Sequence, residues 1–142
     1  MIKQQDINKL ANVALFARNR SIVPISNFAV GAALLSSDGQ IFVGCNIECY
    51  GQTPSICAER VALFKALSEG VTDFLALAVA GGPKDKTPDD FCQPCGVCRQ
   101  VLMQYCPGDM PVFVVKNEQE IQNYTLRQLL PYAWQRKRGI EE

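Results

Sequence analysis

The sequence contains no histidine. The commonest metal ligand and the usual general base near neutral pH are therefore both missing. Any metal chemistry or proton transfer must fall to cysteines and carboxylates. A net charge is absent too, since fourteen basic and fourteen acidic side chains cancel, so no overall field favours a polyanion. The one basic cluster, 136–138, lies near Glu141 and Glu142 and reads as a solvated tail. A nucleic-acid-binding domain would show a broader basic face, so no nucleic-acid partner is expected. No apolar run approaches the ~20 residues that cross a bilayer, and the polar start MIKQQDINKL lacks the apolar stretch of a secretory signal. A cytoplasmic protein with no membrane partner is the expectation, and disulfides are rare in that compartment. The seven cysteines are then thiols or metal ligands, and an odd number cannot pair completely within one chain.

What is present suits one ordinary globular domain over residues 1–142, with 48% hydrophobic and 20% charged residues and length enough to bury a real core. No internal repeat or linker interrupts it. DINKLANVALFARN carries Ile7, Leu10, Val13, Ala14 and Ala17 on one helical face, with Asp6 as N-cap. FAVGAALLSSDGQIFVGCNIE reads as two strands joined at Asp38 and Gly39, a hairpin turn signal. CAERVALFKALSEG is a helix ended by Gly70. FLALAVAGG is a continuous apolar run suited to a buried central strand. After the polar loop PKDKTPDDFCQP come a helix, GVCRQVLMQY, a strand, PVFVVK, and a closing helix, TLRQLLPYAW, that Pro131 breaks or kinks. The order α-β-β-α-β-α-β-α predicts an α/β fold with helices on the faces of one sheet and parallel pairing after the first hairpin.

Two short stretches carry chemistry. PSICAER sets Cys57 two positions ahead of Glu59, and QPCGVCRQ supplies the C-x-x-C pair Cys95 and Cys98. A C-x-x-C alone fits a redox pair as well as a zinc site, but the redox reading leaves Cys57 and Glu59 without a task. Cys45 and Cys106 read as small core residues. Cys57, Cys95 and Cys98 differ because each falls at a helix entrance, where free N–H groups and the helix dipole favour a thiolate. Zinc accepts sulfur in tetrahedral geometry, and three protein ligands leave a fourth position open for water, the mark of a catalytic site. Residues two apart within a helix point ~200° away from each other, so Cys57 and Glu59 can share a site only if the helix starts at or just after Cys57. Three thiolates on Zn²⁺ leave an excess negative charge, which Arg60 and Arg99 are placed in sequence to offset.

FAVGAALLSSDGQIFVGCNIE, CAER and PCGVCRQVL, in that order and spacing, resemble the small, homotetrameric-type zinc-dependent cytidine deaminases over roughly residues 5–134. The zinc deaminase pattern pairs a ligand-x-Glu with a later P-C-x-x-C. The resemblance implies a three-layer domain with a mixed β-sheet and helices on its faces. It also implies hydrolysis of cytidine and 2′-deoxycytidine to their uridine counterparts by zinc-activated water. Zinc would be held by Cys57, Cys95 and Cys98, and Glu59 would move protons from water to the ring and then to the leaving amine. By the same resemblance Asn46 and Glu48 contact ribose hydroxyls, and Phe28 packs on the pyrimidine. Trp134, following LLP, would reach a neighbouring subunit's site in a homotetramer with shared active sites. The chain departs from the family pattern at Ile25, usually tyrosine, at Cys49, usually asparagine, and through CYGQTPSI generally, which bears on sugar selectivity. Cys92 adds a second C-x-x-C and is expected to be dispensable. The rival readings are a deaminase of the same fold acting on another aminated nucleoside or a blasticidin-type antibiotic, and a structural zinc module. The latter would need a fourth ligand from Cys92 or Cys106.

Overall fold

The computed structural model describes residues 2–134; the basic cluster at 136–138 lies outside them. Helix α1, Gln4–Ala17, turns Leu10, Ala11, Ala14 and Ala17 inward, one face of a 3.6-residue repeat. Asp6 does not cap this helix. It stands inside the first turn and accepts a hydrogen bond from the Lys3 backbone N–H at 3.0 Å, so it satisfies a free amide from the other side. A 3₁₀ turn, Arg18–Arg20, follows. Strands β1, Phe28–Ser36, and β2, Ile41–Cys45, form the hairpin expected around Asp38 and Gly39. A smaller hairpin follows, from β3, Ile47–Cys49, and β4, Gly51–Ile56. The rest is α2, Ala58–Ser68, β5, Phe74–Pro83, α3, Gly96–Tyr105, β6, Pro111–Val115, β7, Ile121–Thr125, and a single turn, α4, Leu126–Leu129.

The main sheet has the order β2-β1-β5-β6-β7. Parallel pairing, expected for everything after the first hairpin, is confined to β5 and β6. The reason lies in α2, which carries the chain across β1. Strand β5 then runs in the direction of β2 and so opposite to β1. A further strand, β7, not expected from the sequence, turns back antiparallel on β6. The expected closing helix stops after one turn, at Leu130, with Pro131 next and Tyr132 at φ +57°.

Alternation along the strands divides the core. Leu34, Leu77, Val79, Val112 and Val114 join side chains of α2, α3 and α4 on one face. Ala33, Leu35, Ala78, Phe113 and Val115 join Leu10, Ala11 and Ala14 of α1 on the other. The result is three layers, helix on sheet on helix. Each fully buried leucine contributes about 1.5–3 kcal/mol. Helix α2 lies so close to the sheet that a Cβ on Gly44 would stand 2.2 Å from the Ala58 carbonyl oxygen and 2.7 Å from the Ala62 nitrogen. Only glycine admits that approach, and it sets the depth of the helix that begins at the cysteine-glutamate motif.

Candidate metal centre and active site

Cys57 and Cys95 occupy equivalent places on α2 and α3, each the residue just before the first helical turn. Both backbones are extended, with φ −79°, ψ 154° at Cys57 and φ −67°, ψ 162° at Cys95. That extended residue is what lets Cys57 and Glu59 face the same space. The Cys95 sulfur caps its helix, accepting from the Cys98 backbone N–H at 3.4 Å. Across the two helices the Cys57 and Cys95 sulfurs are 3.6 Å apart, and those of Cys95 and Cys98 are 3.2 Å apart. All three lie within 4.8 Å of one another. Zinc with Zn–S bonds near 2.3 Å holds tetrahedral sulfur ligands about 3.8 Å apart. Three soft sulfurs at this spacing fit the ion and leave one vertex of the tetrahedron free.

The charges around the sulfurs are uneven. The Cys57 thiol is pulled down to about 5, chiefly by a hydrogen bond from Cys98 and further by Arg60, against the cost of burial. The Cys98 thiol moves up, because that same bond, its burial and the Glu59 charge all favour the proton. Glu59 is only 3% exposed. Burial pushes its carboxyl up to about 7 and the charge on Cys57 adds to this, while its own backbone N–H and the Cys98 thiol act in the opposite sense. The structure therefore brings a buried carboxyl beside Cys57 and Cys98 of the cluster.

Arg60 donates through Nη2 to the Cys57 sulfur at 3.5 Å. Its Nε is buried with no hydrogen-bond partner among the described residues. Arg99 serves a different purpose from the one expected. It donates to the carbonyls of Pro94 and Leu129, each at 2.8 Å, so it braces the approach to α3 against the end of α4 rather than meeting a sulfur. Cys92 lies to one side, where a Cβ on Gly81 would stand 2.6 Å from its sulfur and 3.0 Å from the Phe28 ring. Burial pushes this thiol up to about 11.

Phe28 is 39% exposed at the start of β1. Asn46 lies across it, donating to the Phe28 carbonyl at 2.9 Å and accepting from the Val30 N–H at 2.9 Å. Glu48 is held by three donors, the backbone N–H groups of Ile25 (2.8 Å) and Ser26 (3.2 Å) and the Ser26 hydroxyl. Residue 25 thus meets Glu48 through its backbone, which any side chain permits. Trp134 stands apart, 73% exposed. It lines a groove of about 720 Å³ with Phe74, Met103 and Gln104, at the end of α3 opposite its cysteines.

Two residues were not foreseen from the sequence. Ser26 joins Glu48 to Phe28, a link between segments 22 residues apart that no linear signal announces. Arg18 is buried and donates to the carbonyls of Ala29 at 2.9 Å, Pro83 at 2.9 Å and Lys86 at 3.1 Å. It ties β1, the end of β5 and the following loop together behind Phe28.

Residues 4–114 match the family described as the cytidine and deoxycytidylate deaminase zinc-binding region. A cytidine deaminase of Sporosarcina psychrophila is 43% identical over 132 residues, covering 93% of each chain. One from Halalkalibacterium halodurans is 46% identical over 131 residues, covering 91% of this chain and 94% of its own. The crystal structure of cytidine deaminase from Burkholderia pseudomallei superimposes with a TM-score of 0.82 at 35% identity, covering 94% of this chain and all of the other.

Proposed function

The chain belongs to the zinc-binding cytidine and deoxycytidylate deaminase family, and from that membership we propose that it hydrolyses cytidine and 2′-deoxycytidine to uridine and 2′-deoxyuridine, releasing ammonia. The observation that carries the reading is the buried Glu59 carboxyl, which interacts with Cys57 and Cys98 of a cluster of three sulfurs within 4.8 Å of one another. A closed structural zinc site would have no use for that carboxyl.

Cys57, Cys95 and Cys98 would hold the zinc, which when bound would supply the Lewis acidity that lowers the pKa of water toward neutrality. The reaction adds water across the N3–C4 bond of the base, oxygen to C4 and a proton to N3, then expels the 4-amino group as ammonia. Glu59 takes the proton from water and delivers it to N3, then moves the proton of the new C4 hydroxyl to the leaving amine, so that C4 becomes a carbonyl as ammonia departs. A carboxylate serves as both base and acid when it lies within hydrogen-bond reach of the water and the ring. The burial of Glu59 excludes competing water. Phe28 offers a partly exposed ring to the face of the base, and Asn46 and Glu48 bind the ribose hydroxyls. Arg60 offsets the excess thiolate charge. The whole chain is read as one domain of a cytoplasmic homotetramer, with Trp134 serving a neighbouring subunit's site.

The test is zinc content together with loss of cytidine absorbance and release of ammonia. One zinc per chain with equal ammonia and uridine is the expected result. Ammonia from another aminated nucleoside or from blasticidin S, but not from cytidine, would move the substrate elsewhere. Zinc bound without turnover of any of these would overturn the enzymatic reading.

A further inference from the structure

The segment before β1 follows β3 closely. Ile22 N–H donates to the Asn46 carbonyl at 3.1 Å, and Glu48 N–H donates back to the Ile22 carbonyl at 2.8 Å. These bonds lay residues 22–27 along 46–48 and bring the turn over the Glu48 side chain. The turn then closes through Asn27, whose N–H donates to the Val23 carbonyl at 3.0 Å and whose φ is +59°. Asparagine is among the few residues that enter this left-handed region readily. The reversal at Asn27 folds the Phe28 N–H back onto the Ser26 hydroxyl at 3.0 Å. The same hydroxyl gives its proton to Glu48 Oε2.

Ser26 therefore accepts from the backbone of Phe28 and donates to Glu48 at once. A serine hydroxyl has one proton, and here acceptance from Phe28 leaves that proton directed at the carboxylate. Glu48 is fixed at both oxygens, Oε1 by the two backbone amides and Oε2 by Ser26. The hydrogen bond from Ser26 is the largest influence holding the Glu48 carboxyl below its usual range. An ionised carboxylate is acceptor-only, so its remaining lone pairs can take only donors, and a sugar hydroxyl is such a donor.

We infer that Ser26 is a positioning residue for substrate recognition, holding Glu48 oriented toward the sugar hydroxyls in fixed relation to Phe28. The inference rests on the reading of Glu48 as the ribose-binding acid. It predicts that affinity for the nucleoside, rather than the chemical step, depends on a side chain that need not touch the substrate.

The experiment is a double-mutant cycle of Ser26→Ala and Glu48→Gln, measuring kcat and KM on cytidine, zinc content, and the inhibition constant of 2′,3′-dideoxycytidine, which lacks both ring hydroxyls. Ser26→Ala should raise KM for cytidine about 10-fold, the size of a lost hydrogen bond to a charged group, with kcat and zinc within about 3-fold of the parent. Ser26→Thr, which keeps the hydroxyl, should restore most of the affinity. In the Glu48→Gln background Ser26→Ala should add little, and the dideoxynucleoside should bind every variant within about 2-fold. If Glu48→Gln leaves KM unchanged, the reading of Glu48 fails and the inference with it. If Glu48→Gln raises KM but Ser26→Ala does not, or raises it equally for the dideoxynucleoside, the inference alone fails. Should Ser26→Ala not retain zinc, Ser26→Cys, close in size and a poor donor, replaces it in the same cycle with the same outcomes.

Discussion

The Arg60 guanidinium lies 3.5 Å from the sulfur of Cys57, three residues back along α2. The pairing is reciprocal, since the Cys57 charge raises the arginine pKa while Arg60 helps to lower that of the thiol. A positive charge beside three thiolates makes the site easier to load. Arg60→Gln should weaken zinc retention about 10- to 100-fold, the usual cost of removing a partner that orients a metal ligand. Competition with a colorimetric chelator reads this directly. Unchanged zinc affinity would mean the guanidinium serves packing alone.

Glu59→Gln should keep fold and zinc and lose nearly all turnover. The amide is close in size but cannot accept the water proton, and acid–base catalysis contributes ~10²–10⁴-fold. The neutral amide also removes a buried carboxyl, so the melting temperature should hold or rise. Substantial residual activity would take Glu59 out of the mechanism.

Cys92 and Cys95 both stand in C-x-x-C spacing, yet they should respond oppositely to serine. Cys92 packs against Gly81 and Phe28, and burial holds its thiol protonated up to about 11. Its sulfur is not one of the three that lie within 4.8 Å of one another, so Cys92→Ser should leave zinc content intact and activity within a few-fold. Cys95→Ser should abolish zinc binding. The opposite pattern in metal analysis would show that the wrong cysteine had been assigned.

Trp134 is 73% exposed, and its carbonyl accepts from Gln100 at 3.2 Å. Such exposure suits a side chain covered by another subunit. Stacking on a base is worth ~1–3 kcal/mol, so Trp134→Ala should raise KM roughly 5- to 150-fold with zinc unchanged. Mixing Trp134→Ala chains with Glu59→Gln chains should restore activity at sites that combine Glu59 of one parent with Trp134 of the other. A fully active monomer would end the idea.

Much of this was legible because the chemistry is local. The start of α2 followed from the need for Cys57 to stand outside the helix, that of α3 from the run GVCRQVLMQY, and the β1–β2 turn from Asp38 and Gly39. The β3–β4 hairpin was not legible. Its residues include Pro54 and few apolar side chains, and its register slips between Ile47 and Cys49. Strand β7, IQNYT, is an edge strand whose pairing with β6 comes from tertiary contact rather than pattern. Arg99 was set beside the sulfurs because it neighbours Cys98 in sequence, but at that point on α3 its side chain reaches Pro94 and Leu129. The bond between Ser26 and Glu48 depends on two segments lying side by side, which spacing along one chain does not encode.

The cysteine triad spans distant parts of the chain, since Cys57 and Cys95 are separated by 38 positions and strand β5 lies between them. An ion gripped by both is a reversible cross-link. Closing a loop of that length restricts the unfolded chain by about 4 kcal/mol in the chain-entropy treatment of covalent bridges, and metal affinity becomes folding free energy. Zinc supply then governs how long each molecule survives as well as whether it works. A chain starved of the ion opens more often, and proteolysis draws on the opened form.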